Sequence, residues 1–368
     1  MPLKNKTILI ISPESWGTSF VSKHHYATLL SQTNNRVFFL NPPSEKNEIK
    51  SINENLQVID YQINMRGANR LPAFLRNMLN ARQISKIRNQ FLPEPLDIVW
   101  SFDPYRFQNL KAWKAKTAIY HPVDVHHTDL EFAIAATADI IFSTANLILQ
   151  KFENSLPKVP KYQINHGLAA HFLQENIQPA TLPKDYKTKV GYVGNLNYPY
   201  LDTSILIEII KNNPEVGFFF IGPYTKSNLS GEQQIEFIAT LQQLPNVHLL
   251  GAKPSAELPN YLAAFDLFLM SYAADKYRSE LANPHKILEY FSTGKCVVAH
   301  YIDEYKAKPA LVSMAKTNAE LPALFAQTVA NIEQYNAPKY QDLRRQYARD
   351  NTYTAQLARI EQYLDAIS

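Results

Sequence analysis

Short apolar runs alternate with stretches of helical periodicity along most of the chain. Residues 7–12, 36–40, 96–101, 117–120, 139–143 and 161–165 are apolar runs bounded by polar or proline-containing turns, and they predict strands. Strands separated by helices need crossover connections, hence a parallel sheet covered on both faces. Pro157, Pro160, Pro179 and Pro183 then fall among polar residues and mark a linker. The pattern restarts at once with predicted strands at 189–193, 217–221, 247–250 and 267–271, a helix capped by Asp202 and running through Ile210, and another capped by Ser255. Leu357, Ile360 and Leu364 form the apolar stripe of a last helix, with Asn351 as its cap. The expected class is α/β, with two parallel-sheet domains facing each other across a cleft that takes the ligand. The first domain spans 1–170, a linker 171–188 and the second domain 189–345, and a helix within 346–368 crosses back to the first domain.

One stretch, 283–299, combines this pattern with chemistry. Asn283 and Pro284 suit the cap and first position of a helix, and Gly294 suits its left-handed end. Pro284, Ile287, Leu288 and Phe291 would then face inward, which turns His285, Lys286 and Glu289 together onto the other face. Helix amides and an ammonium attract phosphate, and a carboxylate one turn on can accept two hydrogen bonds from a ribose diol. The same residues also read as a solvated face with an ordinary ion pair between Lys286 and Glu289.

Composition narrows the class. A chain of 368 residues, 46% hydrophobic and 19% charged, is an ordinary globular protein of two domains. Its longest apolar runs, such as 217–222, are too short to cross a bilayer, and the N-terminus lacks a signal-peptide pattern, so a cytoplasmic location is expected. Cys296 is the only cysteine and lies in an apolar run, which argues against disulfide or thiol chemistry. The net charge of +4 gives no case for nucleic acid. The charge is unevenly placed, however. Between 61 and 93 stand Arg66, Arg70, Arg76, Arg82, Lys86 and Arg88 with no acidic residue, beside Leu71, Phe74, Leu75, Met78 and Leu79 at helical spacing. Such a segment suits an anionic membrane surface, or it packs its apolar side on the first sheet.

The densest ionisable cluster is His121, Asp124, His126, His127 and Asp129, just after the strand at 117–120. At the carboxyl end of a parallel strand it would face the ligand, with Asp124 or His121 as a base or a sugar contact. A metal site and a plain helix start are the rival readings, but neighbouring His126 and His127 point about 100° apart on a helix, which does not suit one ion. No G-x-G-x-x-G follows a strand, which argues against a dinucleotide.

Taken in order, SPESWGTS after the first strand, INHGL, YVGNL, FFFIGP, NVHLLGAKP, LPNYLAAFDLFLMSY and NPHKILEYFSTGKCVV resemble the family 4-type glycosyltransferases of the GT-B architecture. The resemblance covers nearly the whole chain and is most specific from about 189 to 300. It implies two Rossmann-like domains and a nucleoside-diphosphate sugar as donor, with no cofactor. Glu289 matches the glutamate that holds the donor ribose, Gly251, Ala252 and Lys253 match the turn that reads the base, and Gly17 matches the glycine of the first loop. Gly194 and Asn195 belong to the motif that opens the second domain. Two features depart from the family. Leu281 stands where a second glutamate is usual, with Glu280 one residue away, and the loop GNLNYPYLD lacks the usual arginine and lysine, leaving Lys286, Arg278 and helix amides to face the diphosphate. There is no Asp-x-Asp pair, so no metal is implied. The resemblance points to transfer onto a glycan or lipid-linked glycan in cell-envelope polysaccharide synthesis. A non-hydrolysing nucleotide-sugar epimerase and a catalytically silent binding subunit remain the alternatives.

Overall fold

The structure is a computed structural model and describes residues 3–17, 20–65, 67–225 and 234–367. Arg66 of the basic stretch and Thr18 and Ser19 of the first loop lie outside the described residues. The chain divides into two units, Met1–Gly167 with Tyr353–Ser368, and Leu168–Thr352.

The first unit holds strands β1 (Thr7–Ile11), β2 (Arg36–Leu40), β3 (Glu48–Asn53), β4 (Leu56–Asp60), β5 (Ile98–Ser101), β6 (Thr117–Tyr120), β7 (Ile140–Ser143) and β8 (Lys161–Gln163). Their order is β3-β4-β2-β1-β5-β6-β7-β8, parallel except for the β3–β4 hairpin. That hairpin is absent from the sequence reading for a physical reason. The apolar residues of β3, Ile49 and Ile52, are 40% and 46% exposed, so the strand shows no buried alternation. β1 is the centre from which strand order runs both ways, and the carboxyl ends beside it form the ligand edge of such a sheet.

Arg106 ties that edge together. Its guanidinium donates to the Asp103 carboxylate, to the carbonyls of Ser12 and Asn41, and to the Tyr61 hydroxyl. These four residues follow β5, β1, β2 and β4, so one buried cation holds four strand ends with its charge compensated by Asp103.

The second unit holds β9 (Lys189–Val193), β10 (Gly217–Ile221), β11 (Val247–Gly251), β12 (Leu267–Met270), β13 (Cys296–Ala299) and β14 (Ser313–Met314), in the order β11-β10-β9-β12-β13-β14 and parallel throughout. Asp202 caps the helix Thr203–Asn212 by accepting from the Ile205 amide at 3.2 Å. Other caps differ from expectation. Ser255 opens only a short 3-10 turn before the helix Leu258–Ala263. Asn351 ends the helix Pro338–Asp350 and does not start the next; its side chain donates to the Tyr347 carbonyl at 2.8 Å. The final helix, Tyr353–Ala366, groups with the first unit.

Each unit buries a histidine. His121 follows β6 and stacks among Phe102, Trp100 and Tyr26 with 1% exposure, and burial, together with His166 and Lys23 nearby, pushes its pKa down to about 3. His300 follows β13, and burial pushes it down to about 4. A histidine held below its unfolded value of about 6.5 stabilises the fold fully above that pH and loses the contribution as pH falls toward the folded pKa. Each should contribute up to about 1.4 kcal/mol of lost stability per pH unit in that window. Urea midpoints should therefore drop between pH 7 and pH 4.5, and His121→Phe should flatten the drop. A variant as pH-sensitive as the native chain would locate the effect elsewhere.

Candidate functional site

The candidate site is built at the carboxyl edge of the second sheet. β9, β10 and β11 run into Gly194, Gly222 and Gly251, and backbone bonds continue between their ends: Gly194 N–H donates to Ile221 at 2.9 Å and Gly222 N–H to Gly251 at 3.0 Å. Gly222 has φ +146°, and a Cβ there would lie 1.9 Å from the Gly194 carbonyl oxygen. Only glycine lets these two strand ends approach so closely. Gly251 turns with φ +71° into open space, with Ala252 exposed beyond it and the Lys253 ammonium 5.3 Å from the Tyr261 ring centre. Asn195 shapes the opposite turn, its side chain accepting from the Asn197 amide at 2.9 Å.

The helix Lys286–Thr293 connects β12 to β13, so its start lies at this same edge. It begins two residues later than the sequence suggests. His285 occupies the cap position in helical conformation without a side-chain cap bond, and neither Asn283 nor Pro284 is part of the helix. Gly294 ends it with φ +80°, as the spacing predicts. Ile287, Leu288, Tyr290 and Phe291 are buried. Tyr290 was not singled out by spacing, yet it fixes the helix. Its hydroxyl accepts from Val193 N–H at 2.8 Å and contacts the Val193 carbonyl at 3.4 Å, while its ring stacks on Phe268 at 4.2 Å. The residue before it, Glu289, is thereby held beside the end of β9.

Lys286 Nζ bonds both Glu289 carboxylate oxygens, at 3.0 and 3.2 Å, with side chains 24% and 12% exposed. The ion-pair reading of this face is thus what the structure shows. It leaves a paired acid and base that a ligand can separate. His171, from the 3-10 turn Ala170–Leu173, joins them: its Nε2 lies 3.0 Å from Ser255 Oγ, burial lowers its pKa, and Glu289 pulls it back up. Nothing in the expected linker pattern marked this histidine, because its partners are more than eighty residues away in sequence.

Arg278 stacks on Tyr301 at 4.3 Å and bonds its hydroxyl at 2.9 Å and Asp303 at 3.4 Å, so its charge is directed there. Leu281 is 3% exposed in the core, while Glu280 is half-buried and accepts from Ser279 at 2.7 Å. In the first unit, Gly17 turns with φ +105° into open space. Asp124 is exposed, with His126 half-buried next to it. His121 is 1% exposed among aromatic rings, and among the described residues neither of its ring nitrogens has a hydrogen-bond partner. Among the described residues no three His, Cys, Asp or Glu side chains are grouped to hold a metal ion.

Two substitutions test the construction of the site. Glu289→Ala should remove charge-assisted bonds worth about 1.5 to 3 kcal/mol each to a ribose, and weaken nucleoside diphosphate binding in a calorimetric titration accordingly. Tyr290→Phe leaves Val193 unpaired and should cost about 1 to 3 kcal/mol in stability as well as affinity. Native affinity in the Glu289 variant for every nucleotide that the native chain binds would remove the ribose assignment.

Comparison with known proteins bears on the same region. Residues 187–331 match the family model described as glycosyl transferases group 1. A teichuronic acid biosynthesis glycosyltransferase of Bacillus subtilis (strain 168), TuaH, is 24% identical over 176 residues, which are 47% of this chain and 42% of that protein. The chain thus spans less than half the length of this curated relative. Sucrose-phosphate synthase from Thermosynechococcus elongatus superposes with a TM-score of 0.71 at 13% identity, covering 99% of this chain and 100% of that one. Anabaena HepE in complex with UDP-glucose superposes with a TM-score of 0.66 at 14% identity, over 98% and 99% of the two chains. Such identities show the fold, which is the GT-B architecture, and the group 1 match falls in the unit that carries Glu289 and Lys286.

Proposed function

We propose that the protein transfers a sugar from a nucleoside-diphosphate sugar to a growing glycan, lipid-linked at the inner face of a membrane, without a metal ion. The observation that carries the donor half is the Lys286–Glu289 pair, set by Tyr290 beside glycine-lined strand ends. Glu289 takes the ribose diol, and Lys286, released from it, turns to the diphosphate together with the amides at the helix start. Gly194, Asn195 and the Gly251–Lys253 turn approach the donor through backbone. The leaving diphosphate is stabilised by these fixed donors, which need little reorganisation during the reaction. Asp124 is the group assigned to take the acceptor proton. HepE, whose structures hold UDP-glucose, and TuaH, named for teichuronic acid synthesis, support this reading by likeness.

The membrane half rests on the helix Ala73–Phe91. Its inward contacts are made by Gln83, Ile84 and Ile87, whereas Phe74 is 71% and Met78 44% exposed on the other side. Phe74 and Met78 therefore are not spent on the first sheet, and arginines flank them. Among the described residues no helix is long and apolar enough to cross a membrane.

Incubation with a panel of nucleotide sugars separates the functional readings. Slow donor hydrolysis, accelerated into transfer by glycan acceptors, is the expected result. Epimer formation would identify an epimerase, and binding without chemistry even with acceptors a silent subunit. Co-sedimentation should show binding to anionic vesicles at low salt that high salt releases; equal binding to neutral vesicles would dismiss the membrane role.

A further inference from the structure

The first sheet ends at β3, and among the described residues no strand pairs with its outer side. Residues 49–54 are all exposed, so neither a helix nor a loop covers that edge. An open edge presents a row of amides and carbonyls to any strand that can match it.

Which groups face outward follows from the ladder behind β3. The carbonyls of Asn55 and Ile59 point to β2, where they accept from Val37 and Asn41 at 2.7 and 3.1 Å. Alternate residues of a strand turn their backbone groups to opposite sides, so Val58 and Asp60 face β3 instead. Their partners there are Lys50 and Glu48. Ile49 and Ser51 therefore direct their amides and carbonyls outward, ahead of a bulge between Ser51 and Asn53.

Charge then selects a register. Lys46, Glu48 and Lys50 occupy every second position, and Glu48 lies 3.5 Å from Lys46 and 2.8 Å from Lys50. If two copies of this strand pair antiparallel about a two-fold axis, outward residues must oppose each other. Ile49 against Asn47 sets Glu48 against its own copy, and Ile49 against Ser51 does the same to Lys50. Ser51 against Ser51 sets Lys50 against Ile52 in the bulge. Only Ile49 against Ile49 sets each Glu48 against the Lys50 of the second copy, twice by symmetry, in the narrow pairs where side chains come closest. Edge lysines and bulges commonly guard a strand against pairing. Here the glutamate between the lysines makes the pattern self-complementary in one register and repulsive in its neighbours.

We propose that β3 pairs antiparallel with β3 of a second copy of this chain, with Ile49 on the two-fold axis, so that the two first-unit sheets join into one. The joined sheet has a defined orientation. Ile49 lies opposite Ile59, which packs in the core with Ile84 and Ile87 of the helix Ala73–Phe91. Cross-strand neighbours share a face, so this helix lies on the same side of the joined sheet in both copies. One surface can then meet both.

Sedimentation velocity on the full chain tests the pairing. From ~1 to ~300 μM, the range suited to a small interface, monomers should give way to dimers. Lys50→Glu and Glu48→Lys should each abolish the dimer over that range by setting like charges opposite each other, and the double variant Glu48→Lys/Lys50→Glu should restore it. Both side chains lie at the surface, so circular dichroism should match the native chain in every case. Ile49→Cys should form a disulfide-linked dimer on mild oxidation, because the two copies of this residue would stand about 5.5 Å apart at Cα. The native chain should not, since Cys296 is buried. A chain that stays monomeric throughout, a dimer that survives both single charge reversals, or a double variant that stays monomeric would overturn the pairing. A dimer in which Ile49→Cys fails to cross-link would overturn the register.

Discussion

A single buried phenol fixes the candidate site in the second unit. Tyr290 bonds both the N–H and the carbonyl of Val193, so the helix Lys286–Thr293 cannot slide along β9 without exposing two backbone groups to an apolar interior. Everything that gives the site its chemistry is referred to that contact. Glu289 is the adjacent residue, Lys286 lies one turn earlier, and Gly194 follows Val193. The close approach of Gly222 to Gly194 then brings β10 into line, and β11 follows through the bond from Gly222 to Gly251. A rigid frame of this kind lets the one mobile element be electrostatic. The Lys286–Glu289 pair is worth little in water, so giving it up for other partners costs little.

The first unit solves the same problem with a cation. Arg106 satisfies carbonyls from the ends of β1 and β2, a hydroxyl after β4 and a carboxylate after β5. Among the described residues, Arg76 and Arg82 of the helix Ala73–Phe91 have no carboxylate partner, whereas Arg88 pairs with Glu94. Two sheets of one type are therefore finished differently at their ligand edges, one with glycine backbone and a tyrosine hydroxyl, the other with an arginine paired to Asp103.

Much of this was legible in the sequence. Alternating apolar runs located the inner strands of both sheets except β4, and Asp202 and Gly294 marked helix ends correctly because their signals are local. The polar face of 285, 286 and 289 was visible for the same reason. What escaped depended on distance along the chain. The β3–β4 hairpin hides behind exposed isoleucines, and the roles of Tyr290, His171 and Arg106 arise from partners ninety-seven, eighty-four and up to ninety-four residues away. The burial of His121 escaped likewise, since the aromatic rings that enclose it come from β5, from the residue after β5 and from a helix, and no spacing rule shows them.

The central claim is that the glycine-lined strand ends and the start of the 286–293 helix form one nucleotide site. Amide hydrogen exchange of the full chain with and without UDP tests it most directly. Protection should appear together at 194–195, at 251–253 and at 285–289, the three segments that share no sequence neighbourhood but share this edge. Protection confined to one of them, or found only in the first unit, would contradict it.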